Sequence, residues 1–294
     1  MNVEVKYILY SIGIYFEIHR LSFNIQYFPV YSPFHLTKKY CTYYLTASNG
    51  KGHGIHSPFV YDFVKNVLND RRNFYAYDQV EALRKQLLHD KSVIEVEDFG
   101  AGSTVSKTNQ RSIASIARHA AKSKKWAQLL FRIVNYYQPK TILELGTSLG
   151  ISTSYMAMAN TNARIITAEG SAAIAGRAQK NFRALQLSSI QQVTGNFDNT
   201  LAGIIAGEPS LDMAFIDGNH RYEPTVRYFN QLLPSLHADS MVIFDDIHWS
   251  ADMEKAWEEV KEHRSVRLSI DLFFIGLVFF SDQFKVKQHF TIRF

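Results

Sequence analysis

The sequence predicts an α/β fold: a doubly wound, mostly parallel seven-stranded sheet with an antiparallel C-terminal edge strand, preceded by a helical extension. Three observations carry that prediction. From residue 141 to residue 262, strand-like and helix-like segments alternate, and alternation at this length requires parallel strands with helices on both faces. At the head of the series, Glu144, Gly146 and Gly150 follow a β-leaning run and precede the small, polar run 151–159. That is a strand, a tight turn and a helix N-terminus, the crossover beside which nucleotide-like ligands lie in doubly wound sheets. After Arg264, the runs 266–273 and 277–280 surround Gly276, and 284–294 ends with strand-like composition. Late strands joined by a short turn set an antiparallel edge.

Taken in order, the chain divides into an aromatic and basic helical extension with a lid, 1–125, and a Rossmann-like domain, 126–294. Its 294 residues, 46% of them apolar, suffice for a sizeable core. The single cysteine, Cys41, excludes an internal disulfide and a Cys-rich zinc site and points to a reducing, cytoplasmic setting. The net charge of +5 is uneven, since 1–125 holds 17 basic and 10 acidic residues and 126–294 holds 15 and 17. Residues 111–125 carry five positive charges and no acid. Without interleaved aromatics they read as a solvated basic face, and no specific nucleic-acid partner is predicted. The first 36 residues are rich in Tyr and Phe, but Glu17, His19 and Arg20 interrupt the apolar run, so no membrane span is predicted.

Ser57-Pro58 marks the start of a helix over 58–68, with His53 and His56 in capping or packing roles beside it. A second helix covers 77–88, with Val80, Leu83 and Leu87 on one face. The stretch 93–103 is glycine-rich, but no acid between Asp98 and Glu144 could hold a ribose. It is read as a loop at the pocket mouth, a lid ahead of the basic helix 112–121. Helix 126–137 leads into the sheet. Strands at 142–145, 164–168, 190–194, 211–217 and 240–244 then alternate with helices at 152–159, 171–185, 198–205, 223–233 and 252–262.

The chemistry should gather at the carboxyl ends of these strands. Glu169 ends the second strand, where a carboxylate can accept hydrogen bonds from both hydroxyls of a ribose; the same acid would suit NAD. Two later strands end in Asp217 and in the pair Asp245-Asp246. Acids gathered at one pocket raise one another's pKa unless they share protons or a cation neutralises them. All-oxygen donors suit a hard divalent ion such as magnesium.

The spacing Glu144-x-Gly146-x-x-x-Gly150 resembles the first motif of class I S-adenosylmethionine-dependent methyltransferases. Combined with Ile216-Asp-Gly-Asn-His-Arg-Tyr222 and Asp245-Asp246, it resembles the cation-dependent O-methyltransferases of that class. The resemblance implies S-adenosylmethionine held at the first turn by Glu144, Gly146, Thr147, Ser148 and Gly150. It adds Glu169, Asn196, Phe197 and Asp217 along the neighbouring strand ends. It makes Asp217, Asp245 and Asp246 the ligands of Mg2+ or another divalent cation, and His220 the general base toward a small or sugar-like hydroxyl substrate. His220 and Asp246 depart from the catechol-type pattern, where lysine and asparagine are usual, and lean away from an aromatic diol. His248 and Trp249 would line the substrate side or orient a carboxylate. A homodimer is compatible with this reading. Two other classes share parts of the pattern. An NAD-dependent oxidoreductase would use Glu169 but wants a Gly-x-Gly-x-x-Gly turn; a non-catalytic module peripheral to membrane or RNA would rest on the basic, aromatic first third.

Overall fold

The computed structural model describes residues 31–52, 54–97 and 109–294. The readings placed on the first thirty residues, on His53 and on the part of the predicted lid at 98–103 lie outside them. Helices α1 (Pro33–Thr46) and α2 (Pro58–Phe63, continued by a π-helical turn at Val64–Leu68) each begin with proline behind a capping serine. Ser32 Oγ accepts from the His35 N–H, and Ser57 Oγ from the Val60 N–H. After α3 (Tyr75–His89), a two-stranded antiparallel ribbon of β1 (Val93–Glu95) and β2 (Gln110–Ser112) stands where a loop was predicted to begin. Helices α4 (Ile113–His119) and α5 (Lys124–Tyr137) lead into the sheet.

From there the alternation runs as the sequence predicts: β3 (Thr141–Leu145), α6 (Ile151–Ala159), β4 (Arg164–Glu169), α7 (Ala172–Ala184), β5 (Ile190–Thr194), α8 (Phe197–Gly207), β6 (Leu211–Ile216), α9 (Tyr222–Leu232), β7 (Leu236–Asp245) and α10 (Ala251–Glu262). Three strands close the chain: β8 (Leu268–Asp271), β9 (Ile275–Phe279) and β10 (Gln288–Thr291). The spatial order is β10-β8-β9-β7-β6-β3-β4-β5. Only β9 runs antiparallel to its neighbours. The sheet therefore has eight strands rather than seven, and the antiparallel one lies inside an edge completed by β8 and β10. The last strand forms because it is held from two sides: it pairs with β8, and the Ser48 N–H after α1 donates to Thr291 O at 2.9 Å.

Alternate strand residues feed opposite faces of the sheet. Ile142, Ile165, Met213 and Ile243 meet Leu129, Leu130 and Ile133 of α5 on one face. Leu143, Leu145, Ile166 and Val242 meet Leu201, Phe229 and Trp257 of α8, α9 and α10 on the other. Val60, Phe63 and Val67 of the extension are fully buried in the first of these cores, each contributing about 1.5–3 kcal/mol of transfer free energy. The extension is thus anchored to the sheet. Because β3, β4, β6 and β7 are adjacent and parallel, the turns that follow them meet at one edge.

Candidate active site

The turn after β3 needs glycine at two points. Gly146 has φ 109°, and a Cβ there would lie 2.1 Å from the Asp217 carbonyl oxygen, a clash with backbone. That contact is fixed by the Asp217 N–H, which donates to Leu145 O at 2.8 Å. At Gly150, with φ 78°, a Cβ would sit 2.4 Å from the Phe182 ring. Ser148 also takes a positive φ, 48°, and its N–H donates to Glu169 Oε2 at 2.8 Å, while the Ser171 N–H donates to Oε1 at 3.0 Å. Glu169 therefore pins two turns. On either side of it, the Ser148 and Ser171 hydroxyls are buried without a partner. Buried hydroxyls are ordinarily satisfied, and two of them beside one carboxylate fit a hydroxyl-rich nucleoside.

Asn196 caps α8, its side chain accepting from the Asp198 N–H at 2.9 Å. Phe197 lies against Gly218, where a Cβ would come within 2.6 Å of the ring, and edge-on to Tyr228. An aromatic wall thus stands beside the strand end that carries Asp217.

Two residues expected at the cofactor turn face the other way. Glu144 shares strand parity with Ile142, so its carboxylate enters the core under α6, fully buried, and accepts from the hydroxyls of Ser152, Thr153 and Thr167. Burial pushes it up to about 7 against the pull of those hydroxyls. Thr147 is also fully buried, its hydroxyl 2.6 Å from that of Thr167. Both side chains brace the turn from behind, and any part they play in holding a ligand passes through the backbone they support.

At the ends of β6 and β7 the chemistry turns acidic. Asp217, His220 and Asp245 offer donor atoms within 4.8 Å of one another. His220 is folded back by successive positive φ values at Asn219 (68°) and His220 (21°), which leaves its Nε2 3.6 Å from Asp217 Oδ1. Asn219 itself is held by Tyr228 and Arg221. Asp246, expected as a third acid ligand, stands outside this group, because the chain turns there with φ 54° and sends consecutive side chains apart.

A cation already occupies the acid pair. The Lys122 ammonium lies 3.3 Å from Asp217 Oδ2 and bonds Asp245 Oδ2 directly, with only 7% of its side chain exposed. Burial and then Asp245 push the Asp217 carboxyl well above the usual range. Burial acts likewise on Asp245, but Lys122 outweighs it and holds that carboxyl low. With Lys122 in place these residues do not fit a resident divalent ion, since ammonium and metal would claim the same carboxylate oxygens. Sequence reasoning passed over Lys122, inside the basic run 111–125. No local signal marks it, because Arg118, His119, Ser123, Lys124 and Lys125 surround it in sequence.

His248 is turned away from this group. Its Nδ1 and Nε2 lie 2.8 Å from Glu254 and Asp271, respectively, and its ring stacks on Phe273. Trp249 closes the same turn, its N–H donating to Asp246 O at 2.9 Å.

Residues 143–247 match the family described as a methyltransferase domain. A catechol O-methyltransferase of Niastella koreensis is 36% identical over 126 residues, which are 42% of this chain and 55% of the relative. The chain thus spans about half the length of that curated relative. Among solved structures, an SAH-bound methyltransferase of Podospora anserina superposes with a TM-score of 0.55 at 14% identity, over 77% of this chain and 97% of that one. A candidate O-methyltransferase of Klebsiella pneumoniae gives 0.51 at 17%, over 73% and 94%. These likenesses are of fold. Among the described residues no helix is long and apolar enough to cross a membrane. The family match is confined to residues 143–247, and the sheet order is that of the solved methyltransferases, so what is shared with them is the methyltransferase fold.

Proposed function

We propose that the protein is an S-adenosylmethionine-dependent O-methyltransferase acting on a small hydroxyl compound. One observation carries this reading. The Glu169 edge, with its two unpartnered serine hydroxyls, and the Asp217–His220 pair lie on strands two places apart, a separation of roughly 10 Å that a nucleoside can span. When bound, the cofactor supplies an electrophilic methyl group on a sulfonium. The chain's own residues do the rest. Glu169 and the serine hydroxyls hold the ribose, and Phe197 and Gly218 wall the base. His220 takes the acceptor's hydroxyl proton while Asp217 steadies the imidazole, and the pocket holds acceptor oxygen and methyl in line.

The match to a catechol enzyme and the histidine-bearing pattern at 216–222 favour different acceptors, so both catechols and sugar-like alcohols belong in a substrate screen. Metal assistance is a second reading, favoured by the Asp217–His220–Asp245 grouping; it requires Lys122 to withdraw. The deciding experiment is calorimetric titration with S-adenosylhomocysteine and, separately, with NAD. Micromolar binding of the first supports the transferase. Binding of NAD without binding of the homocysteine nucleoside would assign Glu169 to an oxidoreductase instead.

A further inference from the structure

The Lys122 ammonium is not the tip of a wandering surface side chain. It rises from the short turn between α4 and α5, where the Ala120 and Ala121 N–H groups both donate to Ile116 O, at 2.8 and 3.2 Å, and where α5 starts two residues on. Ala121 is buried, and so is Trp126 one turn into α5. From that fixed base the side chain passes 5.8 Å from the Phe215 ring centroid and ends on the carboxylates of two different strands. Three elements far apart in sequence thus meet at one nitrogen. Breaking such a buried pair leaves charge uncompensated, and a divalent ion could enter only by expelling the lysine.

We propose that Lys122 is the resident cation of this site: an ammonium tethered to the N-terminal extension, in the position between Asp217 and Asp245 that a divalent ion would otherwise take. Methyl transfer then proceeds without bound metal, and removing the lysine's charge opens a divalent-ion site. The catalytic meaning rests on the transferase reading, whereas the exclusion of metal does not. No redox or extra covalent step is involved: the acceptor O–H gives its proton to His220, the C–O bond forms, and the C–S electron pair goes to sulfur.

The test is titration with Mn2+, free ion being followed by electron paramagnetic resonance, on the full chain and on Asp217→Asn, Lys122→Met, Lys122→Arg and Lys122→Met/Asp217→Asn. The wild type and Lys122→Arg should leave Mn2+ free at millimolar concentration. Lys122→Met should bind it on the order of 100-fold more tightly, as expected for losing one positive charge a few ångströms from the site, and Asp217→Asn should abolish that gain. Tight binding by the wild type that Asp217→Asn removes, or a folded Lys122→Met that gains no affinity, would overturn the proposal. If Lys122→Met does not fold, the wild type compared with Asp217→Asn still decides. Titrating the same samples with S-adenosylhomocysteine separates the two claims: no nucleoside binding, with the Mn2+ pattern intact, would sink the transferase and leave the tethered cation standing.

Discussion

Among the described residues, Lys122 and His248 are each enclosed by carboxylates, and their surroundings differ. Lys122 sits between Asp217 and Asp245 beside a histidine whose side chain is 28% exposed, at an edge where serine hydroxyls lack partners. His248 sits between Glu254 and Asp271 in a network whose donors and acceptors are matched: Tyr31 and Lys39 also bond Glu254, and the Phe273 N–H bonds Asp271. Both clusters tie the extension to the second half of the sheet edge. The first shares its sheet edge with two buried hydroxyls that have no partner. A saturated network locks a seam, whereas an open one can receive a ligand.

The sharpest way to break this contrast is through the two histidines. His220→Ala should lower turnover on an accepted substrate by about 10²–10⁴-fold, the range of a lost general base, with little change in melting temperature. His248→Gln should do the reverse, lowering the melting temperature and sparing turnover per folded molecule. Equal losses of turnover in both variants would erase the distinction.

The pH dependence of stability comes next in size. Burial disfavours charge on His248, but its bonds to Asp271 and then Glu254 prevail and raise it from 6.5 to about 9. Its contribution is therefore complete below pH 6.5 and is lost as pH rises through about 9. The size is about 3 kcal/mol for a group this well enclosed. Glu254 works with the opposite sign. Burial raises it, but His248, Lys39 and Tyr31 together bring it down to about 2, so its contribution fails as pH falls from 4.5 toward 2. Denaturant unfolding of the wild type and His248→Gln at about pH 6 and about pH 10 isolates the histidine. The wild type should lose about 3 kcal/mol more than the variant over that interval. Parallel losses would show that His248 gains no proton affinity on folding.

The parallel sheet was legible because period and punctuation are local properties: apolar runs of strand length alternate with helical ones, and glycine or a capping residue stands at the joints. The last strand was legible in the strand-like composition of 284–294 but not in its place as an eighth strand, since 288–291 is held by Ser48 and β8 and composition names neither partner. Glu144 could have been placed from strand parity alone, which puts it with Ile142 and beneath the α6 hydroxyls, but its motif drew it toward the ligand. Lys122 is the harder case. It lies 95 positions before Asp217, and nothing local tells which lysine of a basic run turns inward.

Asp246 supplies the smallest and most discriminating effect. It neighbours Asp245 in sequence and its charge is felt at Asp217, yet the turn at φ 54° leaves it outside the Asp217–His220–Asp245 group. Asparagine tolerates the left-handed region as well as aspartate does, so Asp246→Asn keeps the backbone and removes only the charge. It should change turnover by about threefold or less, under about 0.7 kcal/mol, because one repulsion near Asp217 is relieved while the acid pair and its lysine stay intact. Asp217→Asn, by contrast, removes the carboxylate that both Lys122 and His220 face, and should cost far more. Measured side by side on the same substrate, equal losses would return Asp246 to the centre of the site; a wide gap would confine the chemistry to the two carboxyls that Lys122 touches.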